Sequence, residues 1–141
     1  MPATVATAGY GTLLKQGDAA MSEAFTSILE VTNITGPGFS LDLQEVTSME
    51  SPSAWREFIA TLKNAGEVNF DFNLSPAQAT HTALRDTLVN RTRRNWKMVF
   101  TDTAPTTWSF TGFLTAFQVN PGDVNGVLKG SGTIKLTAAP T

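Results

Sequence analysis

A chain of 141 residues with 10 Lys and Arg against 12 Asp and Glu, formal charge −2, one histidine and no cysteine has room for one domain with a buried core. Disulfides and thiolate metal sites are excluded, and an acidic balance argues against a protein that grips nucleic acid by its phosphates, which takes a surplus of Lys and Arg. Charged residues make up 16% of the chain, below the roughly 25% of ordinary domains; Thr, Ser, Asn and Gly fill the gap and favour strands and turns. No apolar run approaches the ~20 residues that cross a bilayer. Met1 to Gly11 lacks the basic and apolar regions of a signal peptide, so the sequence reads as a soluble protein made in a cytoplasm, without membrane insertion.

Residues 1–22 are small and weakly periodic, and read as an arm that a partner orders. The run from Ala24 to Ile34 alternates and is β-branched, a strand. Gly36-Pro37-Gly38 breaks it, and Phe39 to Val46 is the returning strand, with Phe39, Leu41 and Leu43 on one face. Residues 47–64 read as a long loop with a brief helical or irregular turn, because Trp55, Phe58, Ile59 and Leu62 are spaced like one face of a helix. After Gly66 comes the clearest strand: Val68, Phe70, Phe72 and Leu74 alternate with Glu67, Asn69, Asp71 and Asn73, one face dry and one wet.

Ser75-Pro76 is a helix-start signal, and a helix is expected over about 76–89 with Ala77, Leu84 and Leu88 inward and His81 outward. A basic stretch, Arg91, Arg93, Arg94 and Lys97, leads into a strand through Trp96, Met98 and Phe100. Trp108 to Phe117 is a further strand with a phase shift near Gly112 that suggests a bulge. In the last strand Leu128, Gly130, Gly132, Ile134 and Leu136 face one way; Lys129, Ser131, Thr133 and Lys135 face the other. Residues 138–141 are a second small arm. The tally is a mainly β domain over 23–137 with one flanking helix, an antiparallel sandwich or barrel.

No catalytic constellation emerges. The carboxylates are scattered, His81 stands alone, and no glycine-rich loop precedes a helix as a phosphate site requires. No cofactor and no metal are expected. Arg91, Arg93 and Arg94 lie just past the helix end, where cations complement the dipole. Surface or subunit-interface ion pairing explains them better than DNA contact. The apolar cluster of 47–64 either folds back as a lid or packs on another subunit; composition and spacing leave both open.

The segment VTSMESPSAWREFIATLKNAGEVNFDFNLSP resembles the signature stretch of phage tail tube proteins of the long, flexible, non-contractile type. The closing pattern NWKMVFTDTAPTTWSFTGFLTAFQVNPGDVNGVLKGSGTIKLT is similar to the same family's, and the likeness covers roughly residues 24–137. The resemblance implies a tail-tube-like β-sandwich that self-associates into hexameric rings stacked as a tube, with no cofactor and no enzymatic activity. It implies a virion location, assembly in the host cytoplasm, and tape measure, tail terminator and tail tip proteins as partners, with duplex DNA passing transiently and non-specifically. It also favours a subunit contact made by Thr47, Ser48, Trp55, Arg56, Phe58 and Ile59. About 24 tilted strands close a barrel roughly 45–50 Å across, wide enough for duplex DNA. Its lining comes from one of two wet strand faces. Glu67, Asn69, Asp71 and Asn73 are favoured over Lys129, Ser131, Thr133 and Lys135, because carboxylates repel phosphates. Arg91, Arg93 and Arg94 then fall at ring interfaces. The alternatives are a monomeric carbohydrate- or protein-binding sandwich and a tube subunit of a phage-tail-like particle.

Overall fold

The computed structural model describes residues 6, 8–18, 21–102, 104–122, 124, 126–138 and 140–141. In chain order they form β1 (Leu13–Gly17), β2 (Phe25–Ser27), β3 (Val31–Thr35), β4 (Ser40–Glu45), a 3-10 turn (Pro52–Ala54), β5 (Phe58–Asn64), β6 (Glu67–Asn73), α1 (Ala79–Val89), β7 (Arg93–Val99), β8 (Thr107–Asn120) and β9 (Lys129–Leu136). Seven strands make one sheet in the order β2-β1-β7-β8-β9-β6-β3, while β4 and β5 pair apart from it. All pairings are antiparallel, so the mainly β reading with one helix holds.

β2 and β3 stand at opposite edges of the sheet, yet only Ile28, Leu29 and Glu30 separate them in sequence. Four Cα steps span at most about 14 Å, whereas the edges of a flat seven-stranded sheet would lie roughly 29 Å apart. The sheet must therefore curl until its edges nearly meet. Backbone bonds hold this seam: Ile28 N–H donates to the Leu14 carbonyl and Asn73 N–H to the Glu30 carbonyl, each at 2.9 Å.

The curl encloses one core of Leu14, Ile28, Val68, Phe70, Phe72, Leu84, Trp96, Met98, Phe110, Leu114, Ile134 and Leu136. β6 and β9 alternate as the sequence predicts, with Val68, Phe70 and Phe72 opposite Ile134, Gly132 and Gly130. The two glycines make room for rings: a Cβ at Gly132 would lie 2.5 Å from the Phe70 ring, and one at Gly130 2.7 Å from that of Phe72. Trp96 is fully buried and satisfies its indole N–H on the Gly112 carbonyl (3.3 Å). Before β8, Asp102 closes a turn. The Thr106 hydroxyl and backbone N–H both donate to its carboxylate and hold its pKa below the ordinary value.

Several expectations are corrected. The arm over 1–22 contains β1, which sits inside the sheet between β2 and β7. Its alternation is masked because the inward Gln16 is polar and donates to the Thr87 hydroxyl (2.6 Å), which in turn donates to the Ala83 carbonyl. Residues 1–5, 7, 19 and 20 of that arm lie outside the described residues. The single strand read from Ala24 to Ile34 is two, β2 and β3, split by a turn in which Glu30 has φ 62°. The bulge lies between Leu114 and Ala116 rather than at Gly112, so Phe110, Gly112 and Leu114 keep one inward phase. The expected C-terminal arm is docked: Thr141 exchanges two backbone hydrogen bonds with Ser109 (2.8 and 2.9 Å).

The helix begins at Ala79 rather than 76, since Ser75 to Gln78 first closes a turn (2.9 Å). His81 faces inward, not outward. It is buried against the Phe72 ring, with Nε2 2.8 Å from the Leu29 carbonyl and Nδ1 3.0 Å from the Ser75 backbone nitrogen. The carbonyl can only accept, so Nε2 carries the proton and Nδ1 accepts from Ser75. His81 thereby ties the seam between β2 and β3 to the helix. The inner stripe is His81, Leu84 and Thr87, with Leu88 half-buried and Ala77 exposed.

Gly132→Val should lower stability by about 1–3 kcal/mol through overpacking against Phe70, read from the urea midpoint. Gly38→Ala, whose added Cβ would meet nothing within 4 Å, should leave that midpoint unchanged.

Candidate assembly site

β3 and β6 pair with Thr35 opposite Asn69, and β4 and β5 resume the same register with Ser40 opposite Asn64. The four strands are thus one long hairpin with its ladder interrupted. The interruption is built from glycine: Gly36 (φ 101°) approaches the Glu67 carbonyl and Gly66 (φ 77°) approaches that of Gly38, leaving no space for a Cβ at either. β9 ends where Leu136 N–H reaches the Gly66 carbonyl (3.2 Å). Beyond that point the hairpin has no third strand among the described residues and leaves the body as a two-stranded ribbon. Phe39 anchors its base, 6.3 Å from the Trp108 ring, which meets Phe100 edge-on at 5.2 Å.

Within the loop expected over 47–64, residues 47–57 are irregular around the 3-10 turn Pro52–Ala54, whereas Phe58–Asn64 form β5 of this ribbon. Every residue of β4 and of β5 is exposed, including Leu41, Leu43, Phe58, Ile59 and Leu62. Directly paired residues point to the same face, so Leu41, Leu43, Ala60 and Phe58 share one face while Ile59 projects from the other with Gln44. Both faces are therefore partly apolar and both are uncovered. A register shift between Leu41 and Leu43 changes the phase of β5. Trp55, Phe58, Ile59 and Leu62 mimic helical spacing because apolar residues project from both faces of the ribbon and from the segment before it, and Leu41 and Leu43 read as ordinary strand residues because their exposure depends on where β9 stops.

At the tip, Thr47 and Ser48 spend their hydrogen-bonding groups internally. The Thr47 hydroxyl donates to Glu45 (3.0 Å) and accepts the Glu57 N–H (2.9 Å); the Ser48 N–H donates to the Ser51 hydroxyl (2.9 Å), which donates to Glu57 (2.6 Å). Trp55 and Arg56 follow on the outside, with Trp55 74% exposed.

The two candidate linings turn out to be neighbours. Glu67, Asn69, Asp71 and Asn73 lie opposite Lys135, Thr133, Ser131 and Lys129, on the outer face of the curled sheet. The Thr133 hydroxyl donates to the Asn69 side chain (2.7 Å). The choice between them dissolves into one polar surface with two carboxylates and two ammonium groups, in which Glu67 faces Lys135 while Asp71 faces Ser131 and Lys129 faces Asn73. Gln118 and Asn120 of β8 continue it opposite Ser131 and Lys129.

The basic residues do not act together. Arg91 is exposed in a turn at φ 55°, and Arg93 is exposed across from Phe113, itself opposite Lys135. Arg94 points the other way, into a cleft of about 360 Å³ beneath α1, and donates to the Gly17 carbonyl (3.2 Å). Among the described residues no group of three or more His, Cys, Asp or Glu could hold a metal ion, and no helix is long and apolar enough to cross a membrane.

The description "Lambda phage tail tube protein" belongs to a family whose profile matches residues 10–137. This chain belongs to the lambda phage tail tube protein family. Similar solved structures include the tail of an empty gene transfer agent particle refined with C6 symmetry (19% identity, 96% of this chain and 98% of that chain, TM-score 0.79). A chain of the native gene transfer agent virion (18%, 96% and 98%, 0.75) and the SPP1 tail tube (14%, 90% and 72%, 0.65) share the fold as well. No curated protein matches the chain in sequence.

The family is a structural one, and the ribbon is the part of this tail tube protein whose covering the subunit does not supply. Trp55→Ala and Ile59→Ser should accordingly change the free subunit's stability by no more than about 0.5 kcal/mol, as exposed positions do. Phe70→Ala, in the core, should cost about 3–5 kcal/mol. Urea titration of dilute subunits separates the two classes.

Proposed function

We propose that the subunit self-assembles into hexameric rings stacked into a tail tube, the conduit through which DNA leaves the particle, of a long-tailed phage or a phage-tail-like particle. Assembly would take place in the host cytoplasm, with tape measure, terminator and tip proteins as the further partners. The observation that carries this reading is the ribbon. A two-stranded hairpin is at best marginally stable alone in water, and this one exposes apolar side chains on both faces and has no third strand among the described residues. Leu41, Leu43, Trp55, Phe58 and Ile59 then form the apolar centre of a contact between copies, with Arg56 at its margin and Thr47 and Ser48 shaping the tip.

The outer face of β6 and β9 lines the bore in this proposal. Glu67, Asn69, Asp71 and Asn73 interleave with Lys129, Ser131, Thr133 and Lys135, so the wall offers small polar groups and balanced charge. Each lysine facing a neighbouring strand's polar or acidic residue is less free to hold a phosphate. Screening limits what remains to about 8 Å at physiological salt. Arg91 and Arg93, exposed, are placed to pair with acids of adjacent subunits; Arg94, committed to Gly17, supports its own fold.

Negative-stain microscopy of the purified chain should show tubes or stacked rings. Trp55→Ala and Ile59→Ser should leave folded subunits that fail to polymerise, because truncating a buried interface aromatic commonly costs about 2 kcal/mol or more. Normal tubes from both variants would refute the ribbon as the contact. In a titration with duplex DNA, free subunits should show no salt-sensitive binding; tight binding that weakens with salt would contradict a passive wall.

A further inference from the structure

Resting on that self-assembly, we infer that the ribbon tip of one subunit seats in an apolar cleft at the base of another subunit's ribbon, with Trp55 as the inserted side chain. The cleft, about 590 Å³, lies where the ribbon leaves the body and is lined by Phe39, Leu41, Lys63, Leu136, Ala138 and Pro140. It combines residues from β4, β5 and the segment after β9, so it exists only because the docked C-terminal segment runs beside the hairpin's kink.

Three features identify the occupant as a second copy. The tip offers an apolar knob, Trp55, with Met49 fully exposed nearby, and the subunit's own body is out of its reach. A ribbon the length of β5 extends about 23 Å, which holds a tip away from the cleft at its own base. The charges are complementary: Glu45, Glu50 and Glu57 outnumber Arg56 around the tip, whereas the cleft carries Lys63 and, beside Asn64, Lys135 (3.4 Å). The tip's backbone is also built to present Trp55, since Ser53 and Ala54 both hold left-handed conformations (φ 53° and 61°) that non-glycine residues seldom adopt. A knob and a hole at different places on one molecule make a head-to-tail contact, the kind that closes into rings or propagates as filaments rather than stopping at a dimer.

The absence of cysteine makes the test clean. One batch of full-length subunits carries Ala54→Cys, beside an intact Trp55, and another carries Ala138→Cys in the cleft. The two are co-assembled, confirmed as tubes by microscopy and treated with a short bis-maleimide. Cross-linked dimers should form in the mixture far in excess of those from either variant assembled alone. Tubes that assemble normally yet cross-link no more in the mixture than separately would overturn the seating while leaving self-assembly intact. Failure of the unsubstituted chain to assemble at all would overturn both.

Discussion

A two-stranded hairpin needs a third strand or a packing surface to be stable in water, and the hairpin from β3 to β6 loses its third strand at Gly66. Inside the sheet, β6 has β9 on one flank and β3 on the other, and its apolar residues face a filled core. Past the glycine kink the same register continues with no partner among the described residues beyond β4 and β5 themselves. The chain keeps hydrophobic side chains there, on both faces, where an isolated ribbon would be expected to shed them. That mismatch between local sequence and local support is the physical basis for reading the subunit as incomplete by itself.

The curl of the main sheet is the complementary constraint. A three-residue link between strands at opposite edges forces closure around the core, and closure gives every strand an inner and an outer side. The inner side holds Phe70, Phe72, Trp96 and Ile134; the outer side along β6 and β9 is left to Asn, Thr, Ser and four balanced charges. His81 joins the seam to the helix through Leu29 and Ser75. The ribbon proposed as the contact between copies and the outer face proposed as the lining are thus held on a frame whose own energetics are internal.

Strong alternation was fully legible in the sequence: β6 and β9 follow their apolar pattern residue by residue, and the basic-to-aromatic strand β7 buries Trp96 and Met98 as their positions predict. Legibility failed where a polar side chain is satisfied inside or a bulge changes phase. Gln16 hid β1, because a glutamine bonded to Thr87 breaks the expected pattern without breaking the strand. Apolar residues on both faces of β5, with Trp55 just before it, gave the segment an apparent helical spacing. Burial of His81 was missed because its partners, Leu29 and Ser75, are backbone groups that no side-chain pattern reports. Of the residues proposed for the contact, Trp55, Phe58 and Ile59 stood out by their size on a segment with nowhere to hide. Leu41 and Leu43 belong to the same ribbon but read as ordinary strand residues, since their exposure depends on where β9 stops.

The most direct measurement is amide hydrogen exchange across residues 40–64 in dilute subunits and in assembled material. Slow exchange in β6 and β9 in both states, with β4 and β5 exchanging rapidly in the subunit and slowly in the assembly, is the result predicted for a ribbon that only other copies cover. Equal, strong protection of β4 and β5 already in the lone subunit would contradict it.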